Sequence, residues 1–180
     1  MGDKMLYLIN ENEFDKMYLI MKKSFPEDEY RPYDEQKALL KNKFYNLYVE
    51  KKTRDCVSAF IALWNFKDFV FIEHFAVDIS FRNQGYGSLI LNEVKEKTNK
   101  IICLEVEVPN TEITKRRVGF YERNGFYLNS YPYIQPPIST GKNPVPLMIM
   151  TSNRNIDIIE FNNIKECLYK NVYKYDILTK

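Results

Sequence analysis

The hydrophobic and polar positions along this chain switch between two periods. Met5–Ile9 reads as a short strand. Asn10 with Glu13 forms a capping-box-like start, and Phe14, Met17, Tyr18, Met21 and Phe25 then recur at helical spacing until Pro26 stops them. A polar stretch over 27–32 follows, and Asp34 can cap a second helix carrying Ala38, Leu39, Leu40 and Phe44. Leu47–Glu50, a turn at Lys52-Thr53-Arg54-Asp55 and Cys56–Phe66 predict a hairpin, which leads into a third strand, Phe69–Val77. A helical pattern runs from Leu89 to Lys97. The next apolar run, Ile101–Val108, returns through that helix and must lie parallel to Phe69–Val77 before Pro109 ends it.

The remainder predicts a helix over Glu112–Asn124 with Gly125 as its C-cap glycine, then a strand starting at Phe126-Tyr127-Leu128. Ser130–Pro146 is rich in proline and reads as a long irregular loop, and Leu147–Met150 as a closing strand. Ile158, Phe161, Ile164, Leu168 and Val172 mark a C-terminal helix over about 155–173, outside a core of about 5–151. That helix either packs on its own sheet or pairs with a second subunit, as in a homodimer. The fold class is α+β: a mixed, mostly antiparallel central sheet with helices on both faces.

Composition narrows the function. At 180 residues the chain is expected to form a single domain, 1–180, burying about 70% of its unfolded surface. A net charge of +2, with no run of like charge longer than three residues, argues against nucleic-acid and membrane-surface binding. Cys56, Cys103 and Cys167 are scattered and odd in number, so free thiols in a reducing, cytoplasmic setting are expected. One histidine and no paired ligand spacing argue against a metal.

The candidate chemistry begins at Arg82-Asn83-Gln84-Gly85-Tyr86-Gly87-Ser88, between a strand and a helix. Such a turn presents unpaired N–H groups and the positive end of a helix dipole. Gly85 and Gly87 permit close main-chain approach, and Arg82 adds a charged fork, a combination suited to phosphate or pyrophosphate. Ile90 replaces the third glycine of a dinucleotide fingerprint, and Ser88-Leu89 replaces the Lys-Ser/Thr of a P-loop.

Ala76-Val77, then Phe81–Leu89, and later Gly119-Phe120-Tyr121-Glu122-Arg123-Asn124-Gly125-Phe126 resemble the GCN5-related N-acetyltransferase (GNAT) superfamily. The resemblance implies a sheet splayed between two parallel central strands, Phe69–Val77 and Ile101–Val108. It implies acetyl-CoA as co-substrate, with the main chain of Phe75, Ala76 and Val77 on the pantetheine arm. The pyrophosphate would then lie on Arg82, Asn83, Gln84, Gly85, Tyr86, Gly87 and Ser88. It also implies Tyr121 as general acid for the departing thiolate.

Two carboxylates compete as the base. Glu73 stands in an otherwise apolar strand, where an ionisable group is costly without a purpose. His74, next to it, is expected on the opposite face as a core histidine. Glu105 lies where some members carry a glutamate, and alternation sets it on one face with Glu107. The acceptor is then a primary amine of a small molecule or peptide, and Glu27, Asp28, Glu29, Glu105 and Glu107 favour a cationic one. Two alternatives stay open: a coenzyme A-binding sensor without turnover, and a protein N-terminal acetyltransferase.

Overall fold

The computed structural model describes residues 5–53 and 56–175, so Arg54-Asp55 of the expected hairpin turn lies outside the described residues. Seven strands form one sheet in the order β1-β2-β3-β4-β5-β7-β6. The chain divides into two compact units, one of Met1–Pro26 with Pro32–Ile102 and one of Glu27–Arg31 with Cys103–Lys180.

The first unit is built on β1 (Leu6–Leu8), β2 (Tyr45–Thr53), β3 (Cys56–Asn65) and β4 (Phe69–Val77). Each pairs antiparallel with the next. Helices α1 (Phe14–Ser24), α2 (Tyr33–Ala38) and α3 (Tyr86–Glu96) complete it. The expected capping pair is present: the Glu13 carboxylate accepts from Asn10 N–H at 3.0 Å, through a 3-10 turn that leads into α1. Phe25, just past α1, packs on Phe60 and His74, while Val94 of α3 lines a small cavity with Tyr48 and Leu63. Phe60 and Leu63 point to opposite sides of β3, so α1 and α3 cover opposite faces of the sheet. Glu93 of α3 accepts the Met5 and Leu6 N–H groups at 2.9 and 3.1 Å, which fastens β1.

The second helix departs from expectation. Pro32 holds the N-cap position, so Asp34 falls in the first turn, and the residue α2 buries is Gln36. Ala38 and Phe44 are exposed, and Leu39 and Leu40 are only half-buried. A helix this short has no apolar stripe to bury, and Gln36 is instead held through Nε2 to the Tyr45 hydroxyl at 2.8 Å.

The second unit continues β5 (Ile101–Glu107), whose first two residues lie in the first unit, into β7 (Val145–Ser152) and β6 (Phe126–Gln135). Both of these pairings are antiparallel. Helix α4 (Glu112–Arg123) starts on a Thr111 cap and ends before Gly125, whose φ of 75° is the left-handed turn expected there. Helix α5 (Ile158–Asn171) begins on Asp157, which caps the N–H groups of Ile159 and Glu160. Phe126 meets Tyr121 of α4, and Tyr133 meets Phe161 of α5. Strand alternation sets those two contacts on opposite faces, so this unit too is covered on both sides.

Strand β6 runs well into the stretch expected to be irregular. It tolerates Pro132 because it is the edge strand and because the pairing slips between Asn129 and Tyr133. The true loop spans 136–144. Asn129, 2% exposed, holds the lead into α5: its Nδ2 donates to Thr151 Oγ1 (2.9 Å) and the Ile149 carbonyl (3.2 Å). Its Oδ1 accepts from Ile156 N–H at 3.0 Å. Residues 27–31 form a strap in this unit. Glu27 pairs with Lys142, Asp28 accepts from Asn143 N–H and Nδ2, and Arg31 donates to the Val172 carbonyl. Among the described residues no helix is long and apolar enough to cross a membrane.

Candidate functional site

In the first unit the site residues gather at the end of β4 and the start of α3. The β3–β4 register shifts once, pairing Ala62 with His74 and Leu63 with Ile72, which leaves Glu73 as the extra residue of a β-bulge. The bulge breaks the alternation expected from the sequence. Glu73 and His74 come to lie side by side, Oε2 and Nδ1 3.6 Å apart, with both side chains almost fully buried. Further along β4 the burial alternates, with Ala76 buried and Phe75 and Val77 half-buried.

Asp78 then caps a short 3-10 turn over Ile79–Phe81, accepting from Ser80 N–H at 2.9 Å. Arg82 donates through Nε to the Val77 carbonyl at 2.9 Å and through Nη2 to Ser24 Oγ at 3.4 Å. Asn83 (φ 62°) and Gly85 (φ 82°) are both left-handed, and Gly85 is the N-cap of α3. A Cβ at Gly85 would meet nothing within 4 Å, so the requirement for glycine there is conformational and the space in front of the turn is open. Residues 82–85 are exposed, while Tyr86, Gly87 and Ser88 are half-buried. Ser88 N–H is engaged by the Gly85 carbonyl at 3.1 Å. The Tyr86 ring turns to the Lys52 ammonium, 3.3 Å from its centroid. A cavity of about 720 Å³ in this unit, lined by residues such as Leu8, Asn10, Lys37 and Tyr45, contains none of the candidate residues.

In the second unit Tyr121 and Glu105 are separated by the sheet. Tyr121 faces α4's side with Phe120 and Phe126, 9% exposed, and burial pushes its hydroxyl up to about 12 against an opposing pull from Arg117. That keeps the phenol protonated and able to donate at any physiological pH. Glu105 faces α5's side. Its Oε1 accepts from the Tyr133 hydroxyl and its Oε2 from the Tyr173 hydroxyl at 2.6 Å. Glu107 pairs with Arg117.

The acidic side chains expected to favour a cationic acceptor are therefore largely committed within the chain: Glu27 to Lys142, Asp28 to Asn143, Glu107 to Arg117. Among the described residues no cluster of three His, Cys, Asp or Glu side chains could hold a metal ion. Sequence reasoning missed Tyr133, Tyr173 and Arg31. Their signal was present only as an excess of tyrosine and one arginine in a polar loop.

A bulged strand leads through a left-handed glycine turn to a helix start, within an α+β fold. The family model described as an acetyltransferase (GNAT) domain matches residues 41–128. A structure from Bacteroides thetaiotaomicron, named "Putative acetyltransferase from GNAT family", is 30% identical with a TM-score of 0.86. The match covers 96% of this chain and 100% of that one. "Putative acetyltransferase YjbC" of Bacillus subtilis (strain 168) is 26% identical over 154 residues, 84% of this chain and 78% of that protein. The Vibrio cholerae spermidine N-acetyltransferase in complex with CoA and spermine shares the fold at 13% identity and a TM-score of 0.59, over 81% of this chain and 92% of its own. The chain belongs to the GNAT acetyltransferase superfamily.

Proposed function

We propose that this protein transfers the acetyl group of acetyl-CoA directly to a primary amine of a small molecule or peptide. The observation that carries the reading is Gly85, left-handed at the N-cap of α3 with open space before it, directly after the bulged β4. Helix-start N–H groups at Gln84, Gly85, Tyr86 and Gly87 suit a pyrophosphate, and Arg82 is braced by the Val77 carbonyl beside them. The end of β4, where Phe75 and Val77 are half-buried, suits an extended pantetheine arm. Bound there, acetyl-CoA supplies an activated thioester.

The chain's own groups then manage protons. Glu73, buried beside His74, takes the proton that an ammonium must lose before its nitrogen can attack. Glu105 is the second candidate for that role. Tyr121, held protonated by burial, donates to the departing sulfur. Burial keeps Tyr121 in its neutral form, so the phenol carries its proton when the thiolate departs.

Two measurements test the reading. Coenzyme A at millimolar concentration should raise the melting temperature by mass action. Thiol release from acetyl-CoA should then depend on an added amine, with spermine, small amino-acid amides and short peptides as the first panel. No thermal shift overturns the coenzyme site. A shift without amine-dependent thiol release from any acceptor overturns turnover in favour of a coenzyme-binding sensor.

A further inference from the structure

We propose that two irregularities in the β2–β3 hairpin position the coenzyme turn, and that Lys52, delivered by one of them, is a positioning residue for coenzyme binding. Clamped between the Glu50 carboxylate and the Tyr86 ring, Lys52 fixes the first turn of α3 and with it the N–H groups that would meet the pyrophosphate. This rests on the acetyl-CoA reading and names what preorganises that same site.

The pairing of β2 with β3 slips twice near its turn. Glu50 opposes Ala59 and Lys51 opposes Val57, so Ser58 is passed over. Thr53 then opposes Cys56, so Lys52 is passed over as well. Bulges re-aim residues out of the ladder and gather beside functional sites. Here both passed-over residues reach the segment that runs from Asp78 to Tyr86, one at each end.

Ser58 holds the near end. It is 1% exposed, its hydroxyl donates to the Glu50 carbonyl at 3.2 Å, and its own carbonyl accepts from Asp78 N–H at 2.8 Å. Asp78 is the cap of the 3-10 turn that leads to Arg82. Lys52 holds the far end. Its ammonium lies 3.0 Å from Glu50 Oε1 and 3.3 Å from the centroid of the Tyr86 ring. Glu50 is 5% exposed, so the carboxylate side of this pair is shielded from the solvent that weakens surface ion pairs.

Tyr86 is the first residue of α3, directly after Gly85. A helical side chain leans toward the N-terminus of its helix, so a grip on the Tyr86 ring acts on the turn before it. Arg82 braces the middle of that turn through the Val77 carbonyl, but Asn83 and Gly85 are left-handed and residues 82–85 are exposed. No acidic side chain stands in the first turn of α3 to compete with an anion. Binding to main-chain N–H groups is weakened when they must first be ordered, and a turn braced at both ends avoids that loss. Lys51, the neighbouring lysine, turns instead to Glu13 at 2.8 Å, which makes it a control of equal charge.

The test measures coenzyme A binding by calorimetry and, with acetyl-CoA as the varied substrate, steady-state kinetics. Lys52→Met should raise the Kd of coenzyme A and the KM of acetyl-CoA about threefold to tenfold, with kcat within about twofold. Lys52→Arg keeps the charge and the ring contact and should restore affinity to within about twofold. Lys51→Met should leave coenzyme affinity alone. Tyr86→Leu should weaken binding as Lys52→Met does, and the double variant should be no weaker than either, because each loses the same contact. Wild-type protein that binds no coenzyme A overturns the acetyl-CoA reading and this inference with it. Wild-type protein that binds, beside a Lys52→Met variant that binds as tightly, overturns this inference alone, whatever their melting temperatures. Equal losses in Lys51→Met and Lys52→Met reduce the effect to net charge and overturn it too, as do additive losses in Lys52→Met and Tyr86→Leu. If Lys52→Met melts below assay temperature, Lys52→Gln takes its place under the same criteria.

Discussion

The carboxylate of Glu73 lies beside the imidazole of His74, 3.6 Å between Oε2 and Nδ1, because one extra residue in β4 removes the alternation that would have parted them. The contact is too long for a direct hydrogen bond, and it is buried beneath the Phe25 ring, 5.0 Å from His74. The two residues should separate on mutation. Glu73→Gln is expected to lower kcat by roughly 10²–10⁴-fold with the coenzyme-induced thermal shift intact, as for a lost general base. His74→Phe should cost about 1–3 kcal/mol of stability and leave kcat within tenfold. Steady-state kinetics and thermal melts on both variants make the comparison.

Tyr121→Phe should remove the proton donor while keeping the ring that packs on Phe126. The expected result is a kcat reduced by about 10²-fold, with unchanged coenzyme affinity by calorimetry. The same substitution has a signature in alkali. Tyr121 titrates near about 12 in the folded chain against 10.0 for the free group, so its contribution is whole below pH 10 and is lost as pH rises toward 12. The slope is at most about 1.4 kcal/mol per pH unit for one group. Stability between those pH values should fall less steeply in Tyr121→Phe than in the wild type, with Tyr133, also raised by burial, accounting for part of what remains.

Gly85→Ala places a Cβ in open space and still imposes a left-handed φ on an L-residue. It should cost about 1–2 kcal/mol in stability and weaken coenzyme A binding measurably. A variant that melts lower but binds coenzyme A as tightly as wild type would separate the turn's conformation from ligand binding.

Asn129→Ala strips the donors and acceptor that join β6, β7 and the lead into α5. Orphaning Ile156 N–H and removing the donor to Thr151 Oγ1, which keeps its own bond to the Arg154 carbonyl, should cost about 1–3 kcal/mol, seen as a lower urea midpoint.

The glycine turn, the order of elements and the tyrosine at the end of α4 were legible because each leaves a local mark: a left-handed glycine, a period, a helix stop. The bulge at Glu73 left none, since Phe69–Val77 is apolar on both faces and hides a slip of one residue. Pro132 misled for a related reason. Proline marks loops in general, but an edge strand with a slipped register has an N–H to spare. The grip of Tyr133 and Tyr173 on Glu105 was out of reach because it joins residues 28 and 68 positions apart through tertiary packing alone.

The strap at residues 27–31 also sets a timetable. It emerges early in synthesis, yet Asn143 follows Asp28 by 115 residues and Val172 follows Arg31 by 141. Closing loops of that length is slow compared with forming α1 or the β2–β3 hairpin. The second unit therefore cannot be finished until α5 has left the ribosome, and a chain cut short before Val172 carries a guanidinium with its helix end missing. Arg31 acts, in effect, as a check that α5 has been made and docked.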